Sequence, residues 1–104
     1  MPEFGHPFAG LANDRKLTKS ELIRAIRYTI AAEYEAIQLY MQLAESTDIV
    51  EAKEVLEDIA NEERVHAGEF LKLLYHLAPD EEELYKEGMK EVEELVEKIS
   101  KKTK

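Results

Sequence analysis

Cysteine is absent from the 104-residue chain, which excludes disulfides, iron–sulfur clusters and thiolate zinc sites. Any metal must be held by oxygen and imidazole, donors that favour iron or manganese and also admit zinc. Cationic residues are scarce: 14 Lys and Arg against 23 Asp and Glu leave a formal net charge of −9. Such a surface repels phosphate backbones, which argues against a nucleic-acid partner, yet it can concentrate small cations. No apolar run approaches bilayer-spanning length, and Met1-Pro2-Glu3-Phe4-Gly5 lacks a basic-then-apolar signal. The expectation is a cytoplasmic protein with no membrane partner. Asn and Gln are few while Glu and Lys abound, a balance that suggests a thermophilic source.

Proline and glycine are also scarce, and where they fall organises the chain. Pro2, Gly5, Pro7 and Gly10 crowd the first ten residues, leaving only Gly68, Pro79 and Gly88 for the rest. Residues 1–17 read as an extended arm anchored by Phe4 and Phe8. Thr18 and Glu21 form a capping box, so a first helix is expected over 18–46, until Ser46-Thr47-Asp48 breaks it. Asp48 is expected to cap a second helix, with Glu51 in the complementary position, ending near Leu77 ahead of Pro79. Asp80 is expected to cap a third, Glu-rich helix to about residue 100, mildly interrupted at Gly88. Residues 101–104 form a basic tail that complements the helix's negative end. No strand pattern is present: the class is all-α, one helical domain over 18–100.

Apolar stripes at helical spacing mark the buried faces. In the first helix the stripe is Ile26, Ile30, Ile37 and Tyr40, with Glu33 in its centre; in the second it is Leu56, Ile59, Phe70, Leu73 and Leu77, with Glu63 and His66 in the central slots. A carboxylate inside an apolar stripe needs a cation, a proton or a donor, because leaving it buried alone costs several kcal/mol. Glu63 and His66, three positions apart, lie a turn apart on one face. A tight turn at Thr47-Asp48 would lay the helices antiparallel. Glu33 and Glu63 are then each about 15 residues, or roughly 22 Å, from the turn, with His66 about one turn farther. The three candidate ligands are level across the hairpin.

One Glu and one Glu-x-x-His are half of what a di-metal site in a helical bundle uses, which is two of each from four helices. Two copies of the hairpin about a two-fold axis supply the full complement. The expected architecture is therefore an antiparallel hairpin plus a C-terminal third helix, dimerising into a four-helix bundle whose site lies between subunits. Two divalent ions would neutralise four buried carboxylates.

At these residues the chain resembles the ferritin-like superfamily, and within it the short encapsulated ferritins with two long helices. The likeness rests on Glu33-Tyr34-Glu35-Ala36-Ile37-Gln38-Leu39-Tyr40, Ser46-Thr47-Asp48 and Glu62-Glu63-Arg64-Val65-His66-Ala67, and spans roughly 20–78. The resemblance implies that Glu33, Glu63 and His66 ligate iron, with Tyr40 close behind them, in a site completed across a subunit interface and often within a ring of dimers. It also implies oxidation of Fe(II) by oxygen inside an encapsulin shell. The chain departs from the family twice. An acid often preceding the first ligand is here Ala32, leaving Glu35 as the only candidate for an outer entry site. The C-terminus carries no Leu-Gly-Ile/Ser-Leu-like cargo peptide.

Hard oxygen ligands stabilise Fe(III) over Fe(II), and two adjacent ions share the electrons that oxygen takes up. The sequence thus reads as a ferroxidase for iron storage or detoxification, with manganese or zinc able to substitute in the site. Tyr40 is a candidate hydrogen-bond or electron donor, or a core residue with a satisfied hydroxyl. Glu62, at the stripe's edge, joins Glu35 as an entry candidate, or is simply exposed. Tyr34 lies off the stripe, His76 reads as a surface or packing residue, Met41 and Met89 as packing, and His6 lies in the arm. Two other readings share the composition: a rubrerythrin-like di-metal peroxidase, whose usual rubredoxin partner needs cysteines, and a metal-free helical interaction module.

Overall fold

The computed structural model describes residues 15–102, which form three helices and no strand: α1 (Lys19–Glu45), α2 (Val50–Leu77) and α3 (Pro79–Lys102). The arm expected over residues 1–17, with Phe4, Phe8 and His6, falls largely outside the described residues, as do Thr103 and Lys104 of the basic tail.

The capping box at the start of α1 is present as expected. Thr18 Oγ1 accepts the Glu21 amide at 3.1 Å and Glu21 Oε1 accepts the Thr18 amide at 2.8 Å. Arg15 extends it, donating two 2.7 Å hydrogen bonds to the two carboxylate oxygens of Glu21. The second cap differs from expectation. Thr47 rather than Asp48 turns the chain, its hydroxyl accepting the Ile49 amide at 3.1 Å; Ile49 is the N-cap and Asp48 stays exposed. A hydroxyl two residues before the amide closes a compact turn of its own, and the aspartate does not cap the helix. Asp80 is not a cap either. Pro79 occupies the first position of α3, where its missing N–H and fixed φ suit a helix start, so Asp80 lies inside the first turn. There it joins Glu81 and Glu82 at the positive end of the helix dipole. Gly88 does not interrupt α3, which runs through to Lys102.

α1 and α2 form the antiparallel hairpin. Ile26 and Ile30 of α1 pack with Leu74 of α2, and Ile23, Phe70, Leu71 and Leu77 complete this cluster. Early residues of one helix thus meet late residues of the other. On α2 the buried line differs from the expected stripe by about one position: Ala60, Ala67 and Leu74 are buried, whereas Leu73 is 41% exposed. Spacing by sevens keeps these three on one seam, and two alanines let the helices approach closely on either side of Glu63.

The molecule is not a globule. Its radius of gyration is 18.3 Å, against about 13 Å for a compact chain of this length. Buried apolar residues are few, and Tyr34, Leu39, Leu43, Val55 and Val65 on the hairpin are all at least 45% exposed.

Candidate metal centre

Glu33 sits one turn beyond Ile30 on α1, and Glu63 two turns before Phe70 on α2, so the antiparallel pairing that builds the core also brings these carboxylates together. His66 follows one turn along α2. Its Nδ1 is 3.8 Å from Glu33 Oε2 and 3.7 Å from Glu63 Oε1, and the three groups offer ligand atoms that all lie within 4.8 Å of one another. The levels computed from the turn are realised.

These distances are too long for hydrogen bonds. Two donors each about 2 Å from a shared ion stand at most about 4 Å apart, so the His66–carboxylate spacings fit an ion between them. Glu33 Oε2 is buried and accepts no hydrogen bond. The Glu63 carboxyl, with which Glu33 would share a proton, pushes the Glu33 carboxyl above its usual range; burial and the Glu63 charge add to this, while His66 opposes it. A buried, unsatisfied acceptor facing a second carboxylate and an imidazole has the chemistry of a cation site, with the hard oxygen and borderline nitrogen donors that iron and manganese take. The donor set therefore fits the group expected from sequence.

The cluster is closed on the hairpin side and open on the other. The Glu33 and Glu63 side chains are 18% and 20% exposed, but that of His66 is 48% exposed. Two carboxylates and one imidazole leave coordination positions unfilled on that open side.

The remaining candidates are not gathered into this cluster. Glu62 is exposed. Glu35 and Tyr40 are half-buried and line a shallow depression of about 730 Å³ on α1 together with Tyr34, Leu39 and Gln42. Tyr40 stands seven residues from Glu33, about 10 Å along the helix.

Sequence reasoning missed the joint that seats α3. Glu81 is buried, and both its oxygens accept hydrogen bonds from Arg27 Nε, at 3.1 and 3.2 Å; Arg27 Nη2 completes the fork on Oε1. The Tyr85 hydroxyl donates to Glu81 Oε2, and its ring meets that of Tyr75 edge-on at 5.8 Å. Arg27 chiefly, helped by Tyr85, holds the Glu81 carboxyl below its usual range, and Glu81 pushes the Tyr85 phenol up to about 12. The available signal was the four-residue spacing of Glu81 and Tyr85, which puts them on one face.

Three helices among the described residues, two of them paired as a hairpin, make a ferritin-like fold, and residues 25–104 match the rubrerythrin family. The chain belongs to that family. It is 42% identical over 82 residues to a ferritin-like–encapsulin shell fusion protein of Pyrococcus furiosus, covering 79% of this chain and 24% of that one. It is 40% identical over 89 residues to the encapsulin nanocompartment cargo protein EncC of Myxococcus xanthus, covering 86% of this chain and 67% of that one. The chain thus spans about a quarter of the fusion protein's length and two thirds of the cargo protein's. Its fold is similar to the crystal structure of the encapsulated ferritin domain from P. furiosus, with a TM-score of 0.81 at 36% identity over 89% of this chain and 95% of that one.

Proposed function

We propose that this protein oxidises Fe(II) with oxygen at a di-iron site shared by two copies, as cargo of an encapsulin shell. The observation that carries the proposal is the orphaned Glu33 Oε2, level with Glu63 and His66 on the open side of the hairpin. Fe(II) is the substrate, drawn toward a chain of strong negative charge. Two hairpins about a dyad offer four carboxylates and two imidazoles, the complement of a helical di-metal site. Each carboxylate has two oxygens and so can face two ions, while each imidazole faces one. Oxygen donors of this hardness favour the ferric state, and a pair of adjacent ions supplies two electrons together. The hairpin encloses no chamber for the mineral, which a shell would collect.

Support for the encapsulin role comes from the two relatives, a shell fusion protein and a shell cargo protein, and from the structural neighbour, an encapsulated ferritin domain. The rubrerythrin match also keeps a peroxide-consuming di-metal oxidoreductase in view, since the same ligands serve it; oxygen consumption without added peroxide separates the two.

Crystals grown with Fe(II) and measured at the iron absorption edge test the site directly. Two anomalous peaks per pair of chains, each touching residues of both copies, are expected. Ions held entirely within one chain, or none, would sink the shared site.

A further inference from the structure

Tyr75 and Tyr85 belong to different helices, α2 and α3, and their rings meet edge-on with centroids 5.8 Å apart. The chain has five tyrosines, no cysteine and no tryptophan. Its oxidisable side chains are therefore chiefly phenols, beside three methionines. Among the described residues, Tyr75 and Tyr85 are the two tyrosines whose rings touch.

The surroundings of Tyr85 suit the loss of an electron. Its hydroxyl donates to Glu81 Oε2, and Arg27 keeps that carboxyl ionised. A phenol that gives up an electron becomes a strong acid, and here an ionised carboxylate already faces its proton. Tyr85 is 37% exposed and Tyr75 half-buried, so a small oxidant reaches the pair from solvent. Tyr75 lies nine residues beyond His66 on α2, or roughly 14 Å along the helix.

We propose that Tyr75 and Tyr85 are a site of oxidative modification, joined as dityrosine in a covalent staple between α2 and α3. The oxidant is of the hydroxyl-radical class, formed when Fe(II) reduces hydrogen peroxide; that source rests on the proposed function, the staple itself does not. Each phenol loses one electron and its hydroxyl proton, that of Tyr85 passing to Glu81. The two phenoxyl radicals then join through the carbons beside their oxygens. Each joined carbon passes its hydrogen to the neighbouring oxygen, which restores both phenols. The two electrons and two protons released turn two hydroxyl radicals into two waters. The link closes a short loop across Ala78 and Pro79, which removes conformations from the unfolded chain. It also fixes the angle at which α3 leaves the hairpin, and each staple consumes two oxidising equivalents.

The test uses the full chain in two arms. In the first, chelator is present and a flash on ruthenium tris-bipyridine with persulfate supplies a one-electron oxidant without iron. In the second, Fe(II) and hydrogen peroxide are added together. A protease specific for glutamate cuts between the two tyrosines, after Glu81, Glu82 and Glu83. Their two peptides should nevertheless stay joined and carry dityrosine fluorescence, in both arms. Mixing isotopically heavy and light chains should give no heavy-to-light pairs, since the link is internal. Tyr75→Phe and Tyr85→Phe should each lose the joined peptide, and Tyr34→Phe should keep it; circular dichroism confirms that each variant is helical. Absence of the joined peptide from both arms overturns the proposal, as does a link found mainly between chains. A link made by light but never by Fe(II) with peroxide overturns the assigned oxidant and leaves the ferroxidase reading untouched.

Discussion

Glu33 Oε2 lies buried, without a hydrogen-bond donor, 3.8 Å from His66 Nδ1. Nothing in the hairpin satisfies it, so in the metal-free state the fold carries a local cost at this position. Glu33→Leu removes the orphan and continues the Ile26–Ile30–Ile37 stripe. In chelator this variant should be more stable by about 1 kcal/mol, raising Tm by roughly 4–8 °C. The sign of the pH effect follows from the raised Glu33 carboxyl: the folded state binds its proton more readily than the unfolded chain. Mild acidification should therefore relieve the wild type and narrow the gap to the variant. Thermal melts with and without chelator at pH 7 and 5 measure both effects, and a variant less stable than the wild type in chelator would refute the argument.

Under the proposed function the same three residues would set the rate of Fe(II) oxidation. Glu33→Ala, Glu63→Ala and His66→Ala each remove a donor from a set that already has positions open, so Fe(II) oxidation should fall on the order of a hundredfold or more, beyond the usual loss for groups behind the ligands. Glu62→Gln, on an exposed side chain, should stay within about twofold, and Tyr40→Phe should cost at most about tenfold. Stopped-flow absorbance after mixing Fe(II) with aerated protein reads each rate. Equal rates for Glu33→Ala and Glu62→Gln would remove Glu33 from the site.

How far these features were legible in sequence follows from what each depends on. The capping box, the hairpin and the level cluster rest on local chemistry and on helix rise, both of which a linear reading supplies. The turn at Thr47-Asp48 was legible, but the cap was misassigned: the helix begins one residue later, at an Ile49 cap without a side-chain acceptor, and only the backbone decides that. On α2, Leu73 and Leu74 are equally apolar, and the choice between them depends on which way the helix is rolled against α1. Ala60 and Ala67 were overlooked because small residues carry little hydrophobic signal, although their role is to let helices meet. Arg27 and Glu81 lie 54 positions apart, and nothing local in the sequence pairs them; only the placement of α3 does.

The cap of α1 should respond to acid. Arg15 first, then the Thr18 amide, hold the Glu21 carboxyl down at about 2. A depressed carboxyl adds stability above its unfolded value of about 4.5, and that contribution disappears as pH falls toward 2. The first turn of α1 should fray across this window while the buried Ile26–Ile30 segment holds. Amide exchange at Glu21 and Leu22 should accelerate between pH 4.5 and 2, after correction for intrinsic rates, and much less so in Glu21→Gln.

The α3 joint should open at both ends of the pH scale. Glu81 is held below the usual carboxyl range by Arg27 and Tyr85, so its contribution is present at neutral pH and lost as acid protonates it. Tyr85 shifts the opposite way, up to about 12; its hydroxyl donates only while protonated, so that contribution is complete below about 10 and lost as pH climbs through 12. The joint is therefore tightest between roughly pH 5 and 10. Tyr85→Phe deletes the alkaline limb and, by removing a hydrogen bond to a charged acceptor on a partly exposed ring, should cost about 1 kcal/mol, or roughly fivefold in amide exchange over residues 82–86. Ultraviolet titration of the phenols should show a late-ionising component at about 12 in the wild type that is missing in Tyr85→Phe. A titration curve whose late component survives in Tyr85→Phe, or is absent from the wild type, would show that Tyr85 does not donate to Glu81.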